Sequence, residues 1–254
     1  MGDIPESHPR RESLLSRQKL VDAASKGMLA ESALIAHGRG EAFDYLLGEK
    51  TCDSARLAIT ETAYRLLNSE KCVISVNGNT VALAGPQLIA CAAVLNCPIE
   101  VNIYYRTPKR MEVLLSTLIE QQQLALKLYP QIKNKITDVK ILGGSPDGRI
   151  PNLEGPRAEC HSDGILSADT ILVPLEDGDR CEALIAMGKT VCVIDLNPLS
   201  RTAQMATVTI VDELTRCVPI LLESLMQNSV KSLEWNNKEN LENVIQEILR
   251  NFNN

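Results

Sequence analysis

The chain has 254 residues, a formal net charge of -6 and an isoelectric point near 5.2. A chain of this length buries roughly 70–75% of its unfolded surface, so it needs no disulfide to hold its core. Its acidity argues against nonspecific binding to nucleic acid or to a membrane surface and indicates small-molecule partners. The eight cysteines have neither metal-knuckle nor redox spacing. We therefore expect buried thiols in a cytoplasmic protein.

The amino-terminal third is predicted to be helical. Apolar residues recur with helical periodicity over residues 11–29 and 51–70, and a polar stretch with a short helix near 41–47 joins them. We expect this region, residues 1–70, to pack on a core formed by residues 71–254 as one compact domain overall.

The remainder of the chain alternates strands and helices. Apolar runs predict strands at residues 72–76, 99–105, 139–142, 170–175, 191–196 and 208–211. Further helices are predicted at residues 86–95, 108–126, 213–226 and 240–252. This order is typical of an α/β, Rossmann-like fold, in which a mostly parallel sheet carries helices on both faces.

Two stretches of this core have unusual composition. Residues 81–99 carry no charge over a length that could cross a bilayer, but Pro86 and Pro98 favour a buried helix that starts near Pro86. Residues 143–157 are dense in glycine and proline, and a loop of this length is usually functional or disordered. We interpret it as a lid.

Polar residues follow the apolar runs 170–175 and 191–196. Asp179 and Ser200 can cap the helices that come next, and helix amino termini bind phosphate through their free N–H groups. Arg180 and Arg201 stand one residue past each candidate cap, which predicts a polyphosphate clamp. The alternative is two ordinary capped helices whose arginines point into solvent.

Other strand ends and one glycine-rich stretch have similar chemistry. His37 and Arg39 stand among glycines in the stretch that joins the first helices, although a plain helix–helix turn would explain them too. Amide groups follow the strand at 72–76, and a cationic cluster follows the strand at 99–105. These candidate substrate-binding residues are Asn77, Asn79, Arg106, Lys109 and Arg110. With Arg17 also nearby, so many cations in an acidic protein indicate two anionic substrates.

Several motifs are excluded. Residues 183–190 resemble a phosphate-binding P-loop, but Ala183 replaces its first glycine and a helix precedes the strand. Gly38 and Gly40 lack the third glycine of a dinucleotide fingerprint. The three histidines have no ligand spacing, so no fixed metal site is expected. His37, Arg180 and Lys189 remain the candidates for catalysis.

Taken together, these motifs resemble the archaeal phosphopantothenate synthetases, which are 4-phosphopantoate:beta-alanine ligases. The resemblance covers nearly the whole chain and becomes less distinctive after about residue 227. Its most specific parts are Asp-Gly-Asp-Arg at residues 177–180 and Asp-Leu-Asn-Pro-Leu-Ser-Arg-Thr at 195–202; the other parts are residues 4–10, 34–50, 76–79 and 105–107.

The resemblance implies an ATP-dependent, AMP-forming amide ligase of coenzyme A biosynthesis. It also implies a homodimer with a Rossmann-like core, magnesium-bound ATP, and 4-phosphopantoate and beta-alanine as substrates. Combined with the clamp hypothesis, the implied ATP contacts are Arg17, Arg39, Asp179, Arg180, Cys181, Glu182, Asn197, Pro198, Ser200 and Arg201. From the residues alone, a noncatalytic or regulatory nucleotide-binding Rossmann module remains the alternative.

Overall fold

A six-stranded parallel sheet forms the centre of the fold, and the computed structural model describes residues 4–253. The strands are β1 (Cys72–Val76), β2 (Ile99–Val101), β3 (Ile141–Leu142), β6 (Thr170–Pro174), β7 (Thr190–Ile194) and β8 (Val208–Ile210). Their spatial order is β3-β2-β1-β6-β7-β8. The predicted α/β class and the parallel sheet are therefore confirmed.

The order of the strands reverses between β1 and β6. From β1 the chain moves outward through β2 to β3, then returns to the other side of β1 and moves outward again through β7 to β8. Ile74 of β1 therefore pairs with Ile99 on one side and with Leu172 on the other. In open sheets of this kind, ligands bind beyond the carboxyl ends of the strands at such a reversal.

Helices cover both faces of this sheet. They are α1 (Arg11–Ser25), α2 (Glu31–Leu46), α3 (Asp53–Leu67), α4 (Gly78–Leu95), α5 (Pro108–Leu128), α6 (Lys133–Thr137), α7 (Gly178–Ala186), α8 (Arg201–Met205), α9 (Leu214–Gln227) and α10 (Asn237–Asn253). A separate antiparallel pair, β4 (Gly148–Arg149) with β5 (Glu159–Cys160), lies between β3 and β6 in the chain.

Alternating side chains of the strands build two apolar cores. Ile74 and Ile194 belong to the larger core, which α3, α4 and α9 also fill, while Val73 and Val193 face a smaller core beneath α7. Every residue of β1 and β6 is buried, so both faces of these strands are covered, as is common for parallel strands. Leu20 of α1 joins the larger core, so the amino-terminal helices share it. The division at residue 70 stays a prediction.

Helix α2 differs from expectation. The sequence predicted a polar connection with a short helix near residues 41–47, but one continuous helix spans Glu31–Leu46 and includes Gly38 and Gly40. Glycine weakens a helix by about 0.8–1.0 kcal/mol relative to alanine. Packing compensates at Gly40, where an added Cβ would lie 2.9 Å from the Cβ of Leu196. The absence of that side chain lets α2 approach the loop that follows β7.

Helix α4 begins earlier than predicted. The Asn77 side chain caps this helix, because its Oδ1 accepts a hydrogen bond from the Thr80 N–H at 3.2 Å. In return, Thr80 Oγ1 accepts a hydrogen bond from the Asn77 N–H at 2.7 Å. The backbone leaves helical geometry at Ala84, and Pro86 then occupies the first turn of the second segment. The predicted start near Pro86 therefore marks this kink. Although α4 is long and apolar enough to cross a membrane, 72% of it is buried within the protein.

The eight cysteines are free and buried, as expected. Strand β2 ends at Val101, earlier than predicted, and residues 143–157 include β4 rather than forming an open loop. Whether this segment moves as a lid stays a hypothesis.

Substitutions at two helical glycines compare the effect of close packing on stability with the effect of helix propensity. A Cβ on Gly78 would lie 2.6 Å from the carbonyl oxygen of Met28, whereas a Cβ on Gly38 would meet nothing within 4 Å. We expect Gly78→Ala to lower the free energy of unfolding by about 1–3 kcal/mol. Gly38→Ala, inside a helix, is expected to raise it by roughly 0.5–1 kcal/mol. Urea unfolding of both variants measures the difference, and equal stabilities would contradict the packing argument.

Candidate functional site

The loops after β1, β2, β6 and β7 surround two adjoining cavities at the strand reversal. The smaller, of about 390 Å³, lies beyond β2, β1 and β6, and the larger, of about 720 Å³, lies beyond β6 and β7 beneath α2. They share one wall, formed by Ala36, Arg39, Asn79, Leu175, Glu176 and Asp177. Two ligands can therefore meet at this wall.

Leu175 adopts an unusual backbone conformation in this wall. Its φ of 53° is in the left-handed region, which costs a non-glycine residue about 1–3 kcal/mol. Two hydrogen bonds hold it there: its N–H donates to the Ile194 carbonyl at 2.9 Å, and its carbonyl accepts from Asn77 Nδ2 at 2.7 Å. Such strain commonly marks a functional loop, here the one that leads into α7.

The larger cavity is lined by part of the predicted ATP set. Arg39, Asn197, Ser200 and Arg201 line it, together with Asp195, which the sequence analysis did not single out. Ser200 caps α8 by accepting from the Ala203 N–H at 2.9 Å, as predicted.

Asp195 organises the loop after β7. Its Oδ2 accepts from the Ser200 hydroxyl at 2.5 Å, and its Oδ1 accepts from the Asn197 N–H at 2.9 Å. Burial raises the pKa of the Asp195 carboxyl, and these two hydrogen bonds oppose the rise. The loop is thus pre-formed around a buried acid, with Asn197 presented to the cavity.

Other residues of the predicted ATP set do not line the larger cavity. The residue before α7 is Asp177, not Asp179, and its side chain makes no capping bond, so the predicted cap at Asp179 is wrong. Glu182 is exposed and forms an ion pair with Arg201. The remaining four residues also lie outside this cavity. Arg17 pairs with Glu41 at 2.7 Å. Cys181 and Pro198 are buried, and Arg180 is enclosed beneath the loop that follows β6.

Arg180 is completely buried. Its guanidinium pairs with Glu176 and donates to Ser75 Oγ of β1 at 3.1 Å, so the side chain points toward the sheet and lines neither cavity. The predicted clamp of Arg180 and Arg201 is therefore not assembled in this conformation. This geometry supports a role in positioning the loop that contains Glu176.

Arg157 is another residue of the site that the sequence analysis did not identify. It was placed in a lid, but it is 6% exposed and lines the smaller cavity. Its guanidinium contacts three carboxylates: Asp179 at 3.0 and 3.1 Å, Glu176 at 3.5 Å, and Asp177. The same group lies 4.9 Å from the ring centroid of Tyr104. Arg157 thus ties residues 143–157 to the loop after β6.

The cations after β2 have three different surroundings. Lys109 is exposed and lines neither cavity. Arg106 donates to the Gly143 carbonyl and lies 3.2 Å from Glu159, which neutralises it. Arg110 lines the smaller cavity.

Arg110 has no carboxylate within ion-pair distance among residues 4–253. Its Nη1 donates to the Tyr105 carbonyl at 2.8 Å and its Nη2 to the Met28 carbonyl at 3.1 Å. Burial lowers the pKa of its guanidinium, although an arginine remains charged. A partly buried, unneutralised cation in a cavity wall is suited to an anionic ligand. Asn77 and Asn79, as predicted, line the same cavity.

The two remaining catalytic candidates separate in space. His37 is 8% exposed and lines the larger cavity, and burial lowers the pKa of its imidazole, which favours the neutral form. Lys189 lies just before β7, at the amino-terminal end of this strand, whereas the cavities lie beyond the carboxyl ends. Its Nζ donates to the Leu166 and Ala168 carbonyls at 2.9 and 2.5 Å. The structure does not bring Lys189 to the site.

No group of three or more His, Cys, Asp or Glu side chains within residues 4–253 could hold a metal ion. Fold and site thus define a Rossmann-like α/β protein with two adjoining cavities, and cations line both.

Comparisons place the chain in a family. Residues 54–254 match phosphopantothenate/pantothenate synthetase. The 4-phosphopantoate--beta-alanine ligase of Thermococcus kodakarensis is 47% identical over 223 residues, which are 88% of this chain and 80% of that protein. The protein of that name in Methanosarcina mazei is 41% identical over 256 residues, covering 98% and 95%. The chain belongs to the phosphopantothenate/pantothenate synthetase family.

Proposed function

We propose that this protein condenses 4-phosphopantoate with beta-alanine, using ATP, to give 4'-phosphopantothenate, AMP and diphosphate in coenzyme A biosynthesis. The observation that supports this function is the pair of cavities with one common wall, of which the larger suits the nucleotide and the smaller suits the acid and the amine. A regulatory module that binds one nucleotide needs only the larger cavity.

The chemistry requires activation of a carboxylate, because its oxygen is a poor leaving group. The acid's carboxylate attacks the α-phosphorus of ATP at the common wall, diphosphate leaves, and the amine then attacks the acyl carbon and displaces AMP. Arg39 reaches both cavities and has no ion-pair partner within residues 4–253, so it is suited to neutralise charge at this phosphorus. Arg110 would hold the phosphate of the acid.

Magnesium is proposed to arrive with the phosphates of ATP, whose charge it would neutralise. Asp177 lines the larger cavity with its side chain 65% exposed, and a carboxylate is a suitable ligand for this ion. We also propose that the protein works as a homodimer, as the resemblance implies, and that it is cytoplasmic, since its eight cysteines are free and buried.

Product analysis tests the reaction. With ATP, 4-phosphopantoate and beta-alanine supplied together, we expect AMP and diphosphate to form in equal amounts with the amide. With ATP and the acid alone, radiolabelled diphosphate should exchange into ATP, because adenylate formation is reversible. ADP and phosphate as products would contradict the adenylate route, and ATP binding without turnover would favour the regulatory module.

Arg39 is expected to contribute directly to ATP binding. Replacing it with alanine should raise the KM for ATP by about 10- to 100-fold, since hydrogen bonds to charged groups contribute about 1.5–3 kcal/mol. Arg56, an exposed arginine of α3 that lines neither cavity, provides the control. Equal KM values for ATP in the Arg39→Ala and Arg56→Ala variants would show that Arg39 does not contribute to ATP binding.

A further inference from the structure

Asn102 follows β2 at the edge of the smaller cavity, and its side-chain amide has a fixed orientation. The residue is 3% exposed, and its Nδ2 donates to the carbonyls of Arg157 and Glu159 at 3.0 and 3.1 Å. Because both of these partners are acceptors, the nitrogen must face them. The Oδ1 atom therefore points away from this segment.

The Oδ1 atom of Asn102 is buried and has no hydrogen-bond partner among the described residues. Leaving a buried acceptor unpaired is costly, so an unpaired acceptor on a residue that lines a cavity indicates a donor on a ligand. Two other residues that line the smaller cavity have a buried side-chain atom without a hydrogen-bond partner. These atoms are Nε of Arg110 and Nε of Arg157, and both are donors. Within the described residues, Asn102 thus supplies the unpaired buried acceptor of this cavity.

The substrates of the proposed reaction differ in the hydrogen-bond partners that they need from the residues lining the smaller cavity. 4-Phosphopantoate has anionic groups at both ends, which accept hydrogen bonds and match the two arginines. Its hydroxyl next to the carboxylate can donate to that carboxylate internally. Beta-alanine brings an amine, whose N–H groups need an acceptor.

We propose that Asn102 Oδ1 accepts a hydrogen bond from the amine of beta-alanine and aims the nitrogen lone pair at the activated acyl carbon. This proposal rests on the proposed function. The C–N bond forms, the bond from the acyl carbon to the AMP oxygen breaks with its electron pair, and the nitrogen releases a proton to solvent.

The neutrality of this acceptor matters for the reaction. The nearby carboxylates of Glu176, Asp177 and Asp179 are all engaged by Arg157. A free carboxylate would favour the ammonium form of the substrate, in which no lone pair is available, whereas an amide oxygen can hold the neutral amine. Asn102 is therefore a specificity-determining residue for the second half of the reaction.

Separate measurement of the two half-reactions tests this role. Asn102→Leu removes the acceptor at nearly constant volume, and Asn102→Ala, which leaves room for water at the two carbonyls, is a second variant. The first assay measures diphosphate exchange into ATP with 4-phosphopantoate alone. The second measures kcat/KM for beta-alanine, and the third replaces beta-alanine with hydroxylamine, a small nucleophile that needs little orientation.

We expect the exchange rate and the hydroxylamine rate to stay within about two-fold of wild type, while kcat/KM for beta-alanine falls by roughly 10- to 100-fold. Asn240→Leu is the control, because Asn240 is also a buried asparagine with an unpaired atom but lies on α10. All three of its rates should match wild type. A parallel fall of exchange and amide formation in the Asn102 variants would show that the residue only holds residues 157–159, and no fall would also overturn the proposal. Absence of exchange in the wild type would instead contradict the proposed function.

Discussion

Replacing Arg110 with alanine is expected to lower kcat/KM for 4-phosphopantoate by about 10²- to 10³-fold, because truncating one partner of a buried charge pair costs about 2–5 kcal/mol. The wild type should strongly prefer this acid to plain pantoate, since a missing phosphate leaves the guanidinium of Arg110 unpaired in the cavity wall. In the variant that preference should largely disappear. Steady-state kinetics with both acids, at saturating ATP and beta-alanine, measure the change.

Lys109→Ala is the matched control for Arg110→Ala. Lys109 is the adjacent residue, but it is exposed and lines neither cavity. We expect this control to keep the preference for the phosphorylated acid. Arg110→Lys keeps the charge and should retain part of it. If Arg110→Ala discriminates between the acids as well as the wild type does, the phosphate is bound elsewhere.

Replacing Arg180 with methionine is expected to lower the free energy of unfolding by about 3–5 kcal/mol, because it leaves a buried carboxylate, Glu176, without its main partner. For a protein of this size that loss corresponds to a fall in Tm of about 10 °C or more. Urea unfolding and calorimetry measure it. Arg201→Met provides the control, since the Arg201–Glu182 pair is exposed and such pairs contribute about 0–1 kcal/mol.

A double variant separates the structural role of Arg180 from ATP binding. Arg180→Met with Glu176→Gln removes both charges of the buried pair, so most of the lost stability should return. If Arg180 acts by holding the loop, ATP affinity should recover together with stability. If ATP affinity remains low in the stable double variant, Arg180 contacts the nucleotide directly, and its inward orientation would have to change on binding.

The approximate positions of the site loops were predictable from the sequence. Parallel strands are buried on both faces, so they appear as apolar runs, and the polar residues after each run must lie at one edge of the sheet. This reasoning correctly placed Asn77, Asn79 and Asn197 beside the cavities. It also placed Arg110 there, but within a cluster of three cations that sequence alone could not tell apart.

One error could have been avoided from the sequence. Arg180 shares the buried face of α7 with Cys181 and with Leu184, four residues later. Residues four apart lie on the same side of a helix, so this periodicity indicated that the arginine faces the interior. The proximity of Arg180 to a strand end outweighed that signal in the clamp hypothesis.

The sequence by itself determined the class of fold, the edge of the sheet at which the two cavities lie, and the family, because these depend on local periodicity and on short motifs. Only the tertiary structure decided which cations remain available. Arg106 and Arg157 are neutralised by carboxylates, and Arg110 instead meets a backbone carbonyl 82 residues away. It also decided that Asn102 keeps an unpaired oxygen, since its amide is held by residues 55 and 57 positions later. Charge pairing and hydrogen-bond satisfaction depend on distances between side chains remote in sequence, and no local pattern contains those distances.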